Sequence, residues 1–244
     1  MPTDTHHDRP GTGRLGLVVG LLCDALGNGS EPGSRLQVLD CGGGSGAYSV
    51  PLAEFGADVT VVDLSADALA TLRRRAEEAG VSASVTAIAG DVEALAGLVR
   101  PGGYDAVLAH GILDAVDQVE STFAAMAEAV RPGGLMSVLV GNPIASVLAR
   151  ALAGDPAAAL AELRGLDAAE SVDAAVIATL AARFGLIVEA RHGIGVFSDL
   201  VPGAAGDTAA GRAALAALDV EAAGRLPFAE LAGRIHLLLR RPNG

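Results

Sequence analysis

The chain has 244 residues, 51% hydrophobic and 19% charged, enough to bury a sizeable core within one α/β domain. Its 17 basic residues are all arginines and stand against 29 acids, a net charge of −12 that leaves no basic stripe for a phosphate backbone. This balance disfavours nucleic acid as a partner and favours a small molecule. Cys23 and Cys41 lack the paired spacing of a disulfide framework or a zinc site, so no metal is expected. The polar start at 1–13 has no secretory core, and no run reaches the roughly 18 apolar residues of a membrane span. A soluble, cytoplasmic protein is expected.

Residues 1–13 read as a flexible start, and 14–244 as one domain. Leu15, Val18, Val19, Leu22 and Leu26 recur at helical spacing and predict a leading helix, broken by Gly27-Asn28-Gly29-Ser30. An apolar strand at 36–39 runs into a glycine loop, followed by a helix at 48–54 that Gly56 ends. A second strand at 58–62 leads to Asp63-Leu64-Ser65, where Ser65 caps a helix reaching Gly80. Strands follow at 85–89 and 104–109, with a short helix at 92–99 between them and a Pro101-Gly102-Gly103 turn before the fourth. A helix at 119–130 is expected to end at the turn Arg131-Pro132-Gly133-Gly134, and a fifth strand to occupy 135–140.

Five strands alternating with helices predict a parallel sheet with right-handed crossovers. Beyond it, Ala-rich helical segments at about 143–170 read as an insertion, then a capped helix at 171–184 and a strand from Leu186. The Ala/Gly-biased stretch 203–224 reads as a surface helix or loop. A last strand at 234–240 puts Ile235, Leu237 and Leu239 on one face.

The chemistry-bearing residues lie at the ends of the first strands. In Asp40-Cys41-Gly42-Gly43-Gly44-Ser45-Gly46, glycines let the backbone approach a ligand where a Cβ would clash. Gly42, Gly44 and Ala47 also fit the dinucleotide fingerprint, so a nicotinamide or flavin cofactor has to be weighed. Asp40 discriminates: a carboxylate directly before the loop repels a pyrophosphate but can hold, directly or through water, the ammonium of S-adenosylmethionine. Asp63, with Leu64 beside it, ends the second strand where a carboxylate can accept both ribose hydroxyls of either cofactor. Asp91 follows the third strand, placed to accept from an adenine amine while the Val92 amide meets a ring nitrogen; an ordinary helix N-cap is its equal alternative.

These segments resemble the motifs of class I S-adenosylmethionine-dependent methyltransferases. VLDCGGGSGAYSVPL at 38–52 looks like the first motif of that family, and VTVVDLS at 59–65, AGDVEAL at 89–95, YDAVLAHGILDAV at 104–116 and RPGGLMSVLV at 131–140 resemble its later ones. The resemblance implies a Rossmann-like α/β fold, a seven-stranded mostly parallel sheet with an antiparallel last strand and helices on both faces. A narrower likeness is to the bacterial enzymes that esterify the carboxymethoxy group of wobble uridine in tRNA. It rests on GTGRL at 11–15, HGILDAV at 110–116, VLVGNP at 138–143, GIGVFSDL at 193–200 and GRIHLLLRRP at 233–242. By that resemblance Arg14 reaches the cofactor carboxylate and His110 sits against the methyl donor. The sparse aromatic and basic residues depart from a tRNA-handling surface.

The resulting expectation is a methyltransferase for a small or medium acceptor at O, N or C. A tRNA carboxyl methyltransferase and a non-catalytic cofactor-binding protein are the alternatives. Methyl transfer from a sulfonium needs alignment more than a base. For an alcohol or phenol His110 or Asp114 could take the proton, yet His110 also reads as a pocket wall and Asp114 as a cap of the next helix, so no catalytic residue is assigned. His192 and His236, in or beside late strands, are far from any acidic cluster. Arg73-Arg74-Arg75 is expected to pair with Glu77 and Glu78 on a solvated helix face.

Overall fold

The computed structural model describes residues 13–27, 35–166, 172–201 and 203–243. The expectations for 1–12, for the break after Gly27, for the end of the 143–170 insertion and for a helix start at Ser171 lie outside them in whole or in part.

Seven strands form one sheet: β1 (Gln37–Cys41), β2 (Asp58–Asp63), β3 (Val85–Ala89), β4 (Tyr104–His110), β5 (Val130–Gly141), β6 (Ile187–Ile194) and β7 (Arg234–Arg240), in the order β3-β2-β1-β4-β5-β7-β6. The pairs from β3 to β5 are parallel, whereas β7 runs antiparallel to both β5 and β6. The expected seven-stranded sheet with an antiparallel last strand is therefore observed.

Two apolar layers sandwich it. On one face pack α1 (Arg14–Gly27) through Val18, Val19 and Leu22, α2 (Ser49–Glu54) through Leu52, and α3 (Ala66–Glu78) through Leu69 and Leu72. On the other pack α4 (Val119–Ala129) through Phe123 and Met126, and α7 (Ala174–Arg183) through Ile177 and Leu180. The alternation of strand side chains decides which residues meet which layer: along β7, Ile235, Leu237 and Leu239 join the second layer, and Leu238 the first. Between β5 and α7 lie α5 (Pro143–Leu152), capped by Asn142, and α6 (Pro156–Gly165), capped by Asp155; α8 (Ala209–Ala222) is capped by Thr208.

Three local expectations are corrected. Arg131-Pro132-Gly133-Gly134 does not separate α4 from the strand, because β5 begins at Val130 and carries those residues as an irregular first stretch, with a register shift opposite Tyr104 and Ala106. The Gly133 amide donates to the Arg241 carbonyl, and Arg131 reaches Asp105 at 2.6 Å, so tertiary partners hold in the sheet a sequence that locally reads as a turn. Asp114 caps no helix: α4 starts five residues after it, with Gln118 at the N-cap and no side-chain cap bond. The short helix after Asp91 is a 3-10 segment, Val92–Gly97. Of the arginine run, Arg74 makes the expected pair, with Glu78 at 2.7 Å, whereas Arg75 reaches back to the Ser45 carbonyl of the glycine loop at 3.1 Å.

Candidate active site

The carboxyl ends of β1 to β5 open on one edge, where ligands of open α/β sheets bind. The glycine loop leaves β1 there. Gly42, Gly44 and Gly46 adopt left-handed φ values of 69°, 54° and 78°, which side chains with a Cβ rarely tolerate. A Cβ on Gly42 would meet Ile112 Cδ1 at 2.7 Å, and one on Gly43 would overlap Asp40, whereas on Gly44 it would meet nothing closer than Asp63 at 3.8 Å. The loop is thus packed from below and open at Gly44.

Its acids hold it. Asp40 is fully buried, and its Oδ2 accepts the Ser49 hydroxyl at 2.5 Å, tying the loop to the first turn of α2. Burial pushes its carboxyl up to about 6; the Ser49 hydrogen bond opposes the rise and the nearby Asp63 adds to it. Asp63 Oδ2 accepts the Gly44 amide and Oδ1 the Ser65 amide, both at 2.8 Å. Each oxygen retains lone-pair capacity for a ligand hydroxyl. Asp91 takes its alternative role as an N-cap, accepting from the Glu93 amide at 2.9 Å, with Val92 buried behind it. Leu64 is exposed beside Asp63, an apolar surface flanking this edge.

His110 closes β4, its ring edge-on to Tyr48 with centroids 4.3 Å apart. Desolvation, with the Arg234 cation adding to it, lowers its pKa to about 3, so the ring is neutral at physiological pH. Asp114 lies near the same cation, its carboxyl raised by partial burial and pulled back by Arg234.

Arg14, at the start of α1, is ion-paired with Asp199 in the turn after β6. Asp219 of α8 fixes that turn, accepting the Phe197 amide at 2.7 Å and the Ser198 hydroxyl. Sequence reasoning missed Tyr48, Asp199, Asp219 and Arg234. GIGVFSDL and GRIHLLLRRP flagged the stretches of Asp199 and Arg234 without ranking either residue, and Asp219 sits in a featureless Ala-rich helix.

Residues 38–134 match the family model described as a methyltransferase domain. A ubiquinone biosynthesis O-methyltransferase of Methylocella silvestris is 37% identical over 86 residues, 35% of this chain, and the chain spans about a third (32%) of the length of that relative. Among solved structures, the magnesium protoporphyrin IX methyltransferase of Synechocystis with bound S-adenosylhomocysteine superposes with a TM-score of 0.59 at 17% identity, covering 94% of this chain and 83% of that one. The [4+2]-cyclase SpnF gives 0.58 at 17%, covering 92% and 81%. The fold is that of the Rossmann-like methyltransferases. Among the described residues no cluster of His, Cys, Asp or Glu could hold a metal ion, and no helix is long and apolar enough to cross a membrane.

Proposed function

We propose that the chain is an S-adenosylmethionine-dependent methyltransferase that places a methyl group on an oxygen of a small or medium molecule. One observation carries the reading: Asp40 and Asp63 hold a glycine loop open at Gly44, with Asp91 at the end of the next strand, within the segment that matches the methyltransferase-domain model. The O-methyltransferase relative supports oxygen as the acceptor atom. Bound adenosylmethionine supplies an electrophile that needs no further activation. Gly42 to Gly44 admit the ligand, Asp63 accepts ribose hydroxyls, Leu64 and the Val92 amide flank the adenine, and Asp91, whose Oδ1 caps the following turn, accepts from the adenine amine through Oδ2. Arg14 pairs with the donor's carboxylate, and Asp40, beneath the loop, favours its ammonium over a pyrophosphate. His110 sits against the methyl donor, and Tyr48 and Arg234 beside it wall the side where the acceptor enters and exclude water from it.

Neutral His110 is a poor proton acceptor, which suits an acceptor that arrives ionised. That observation also favours a second reading, the esterification of a carboxymethoxy group on wobble uridine of tRNA, since a carboxylate needs no base. The charge of −12 counts against it.

Calorimetry with S-adenosylhomocysteine and with NAD tests the donor: binding of the first and not the second is expected, and the reverse sinks the proposal. Incubation with labelled donor and a cell extract then identifies the fraction that gains methyl; label in no fraction leaves a binding protein without transfer. Salt-sensitive tRNA binding accompanied by label in tRNA supports the second reading instead.

A further inference from the structure

Four polar side chains cross the middle of an apolar sheet face. His110 on β4, Ser137 on β5, His236 on β7 and His192 on β6 occupy adjacent strands on the side covered by α1 and α2, among Leu108, Leu135, Leu139 and Leu238. His110 Nε2 lies 2.8 Å from Ser137 Oγ, and the same oxygen lies 2.8 Å from His236 Nε2. The His236 ring stacks on His192 at 5.6 Å. Ser137 and His236 are fully buried, and within the chain both imidazoles use Nε2 only: Nδ1 of each is buried with no hydrogen-bond partner among the described residues.

Burying three polar groups among leucines costs stability unless each is paired, and an apolar trio of similar volume would fill this layer without that cost. A hydroxyl has one proton. It donates to one Nε2, and to be fully used it accepts an N–H from the other. With both rings neutral, one histidine therefore carries its proton on Nε2 and the other on Nδ1.

We propose that Ser137 and His236 are positioning residues for His110: the shared hydroxyl couples the two rings in complementary tautomers, so that the proton position on His110 is tied to that on His236, and holds the His110 ring in place at the site. The proposal rests on the reading of His110 as a wall of the methyl-donor site. Tyr48 at its ring edge and the nearby Arg234 complete its surroundings, and His192 those of His236. An unbridged imidazole would be free to rotate and to exchange tautomers; the bridge restricts its orientation and ties its tautomer to that of His236.

The test is nitrogen-15 NMR of the histidine rings in the whole protein, paired with calorimetry using S-adenosylhomocysteine. In the wild type one of His110 and His236 should report Nδ1–H and the other Nε2–H, unchanged between pH 8 and pH 6. Ser137→Ala should lose that complementarity and weaken S-adenosylhomocysteine about tenfold, while Ser137→Thr, which keeps the hydroxyl, retains both. If Ser137→Ala does not fold, His236→Gln, whose amide nitrogen replaces Nε2, should keep the wild-type affinity, and His236→Leu should lose it. Two rings with the same tautomer, or a Ser137→Ala protein with wild-type tautomers and affinity, overturns the proposal. A wild type that binds no S-adenosylhomocysteine would overturn the assignment of the site, while the tautomer pattern would still decide whether the bridge sets the rings.

Discussion

Arg14 and Asp199 form an ion pair that joins the first turn of α1 to the turn after β6, and two glycines make room for it. A Cβ on Gly195 would lie 2.6 Å from Arg14 Nε, and one on Gly233 would overlap the Asp199 carboxylate. Three separate stretches of sequence, around 14, 195 and 233, thus converge on one pair. Arg14 is half exposed, so the pair itself adds at most about 1 kcal/mol to stability. Its expected importance is in ligand binding. Asp199→Ala should leave the melting temperature within a few degrees of wild type yet weaken S-adenosylhomocysteine about threefold to tenfold, and Arg14→Ala should weaken it further, more so at low salt. Equal affinities in both variants and wild type would remove Arg14 from the site.

Asp63 clasps the loop by accepting two backbone amides, Gly44 and Ser65. Asp63→Ala leaves both donors without that partner and removes the ribose contact. A loss of about 100-fold or more in S-adenosylhomocysteine affinity is expected from two or three charge-assisted hydrogen bonds. Asp63→Asn, which keeps shape and one acceptor, should fall between. Calorimetry of the three proteins checks the order.

Asp40 and His110 give stability opposite dependences on pH. The Asp40 carboxyl is raised from 3.8 to about 6, so between those values the folded chain holds a proton that the unfolded chain releases, and stability falls as pH rises through that window. His110 is lowered from 6.5 to about 3, so the unfolded chain takes the extra proton there, and stability falls as pH drops from 6.5 towards 3. Asp40→Asn keeps an acceptor for Ser49 and removes the buried charge. It should be more stable than wild type by about 1–3 kcal/mol at pH 7.5, with the advantage shrinking towards pH 4. Denaturant unfolding across that range measures it, and an Asn variant less stable than wild type at pH 7.5 would refute the buried-charge account.

Gly46 turns the loop into α2 with φ +78°, and a Cβ there would overlap Leu72 Cδ1 in the core beneath α3. Gly46→Ala should cost about 2–4 kcal/mol from backbone strain and overpacking together. Gly56→Ala, also at positive φ but with open space around it, should cost only the strain, about 1 kcal/mol. Chemical denaturation of the pair separates the two contributions.

The sequence by itself determined the sheet-building segments, because strands buried on both faces read as continuous apolar runs and glycines that need left-handed backbone leave a visible signature. β7 lies where its apolar run predicts it, and β3, although only partly buried, also matches its expected bounds. It also placed Asp40, Asp63 and Asp91 at strand ends, since a parallel α/β alternation delivers successive carboxyl ends to one edge. What those carboxylates hold was decided by tertiary structure: Asp40 takes Ser49, Asp63 the loop amide, and Asp91 its own helical turn. Arg131 to Gly134 reads locally as a turn and becomes strand only because Asp105 and Arg241 hold it there. The pairing of Arg14 with Asp199, and of His110 with His236 through Ser137, joins residues 185, 27 and 99 positions apart. No local pattern encodes such partners. They meet because β7 inserts between β5 and β6, and the order of strands in a sheet is a property of the folded chain, set by which faces can be buried together.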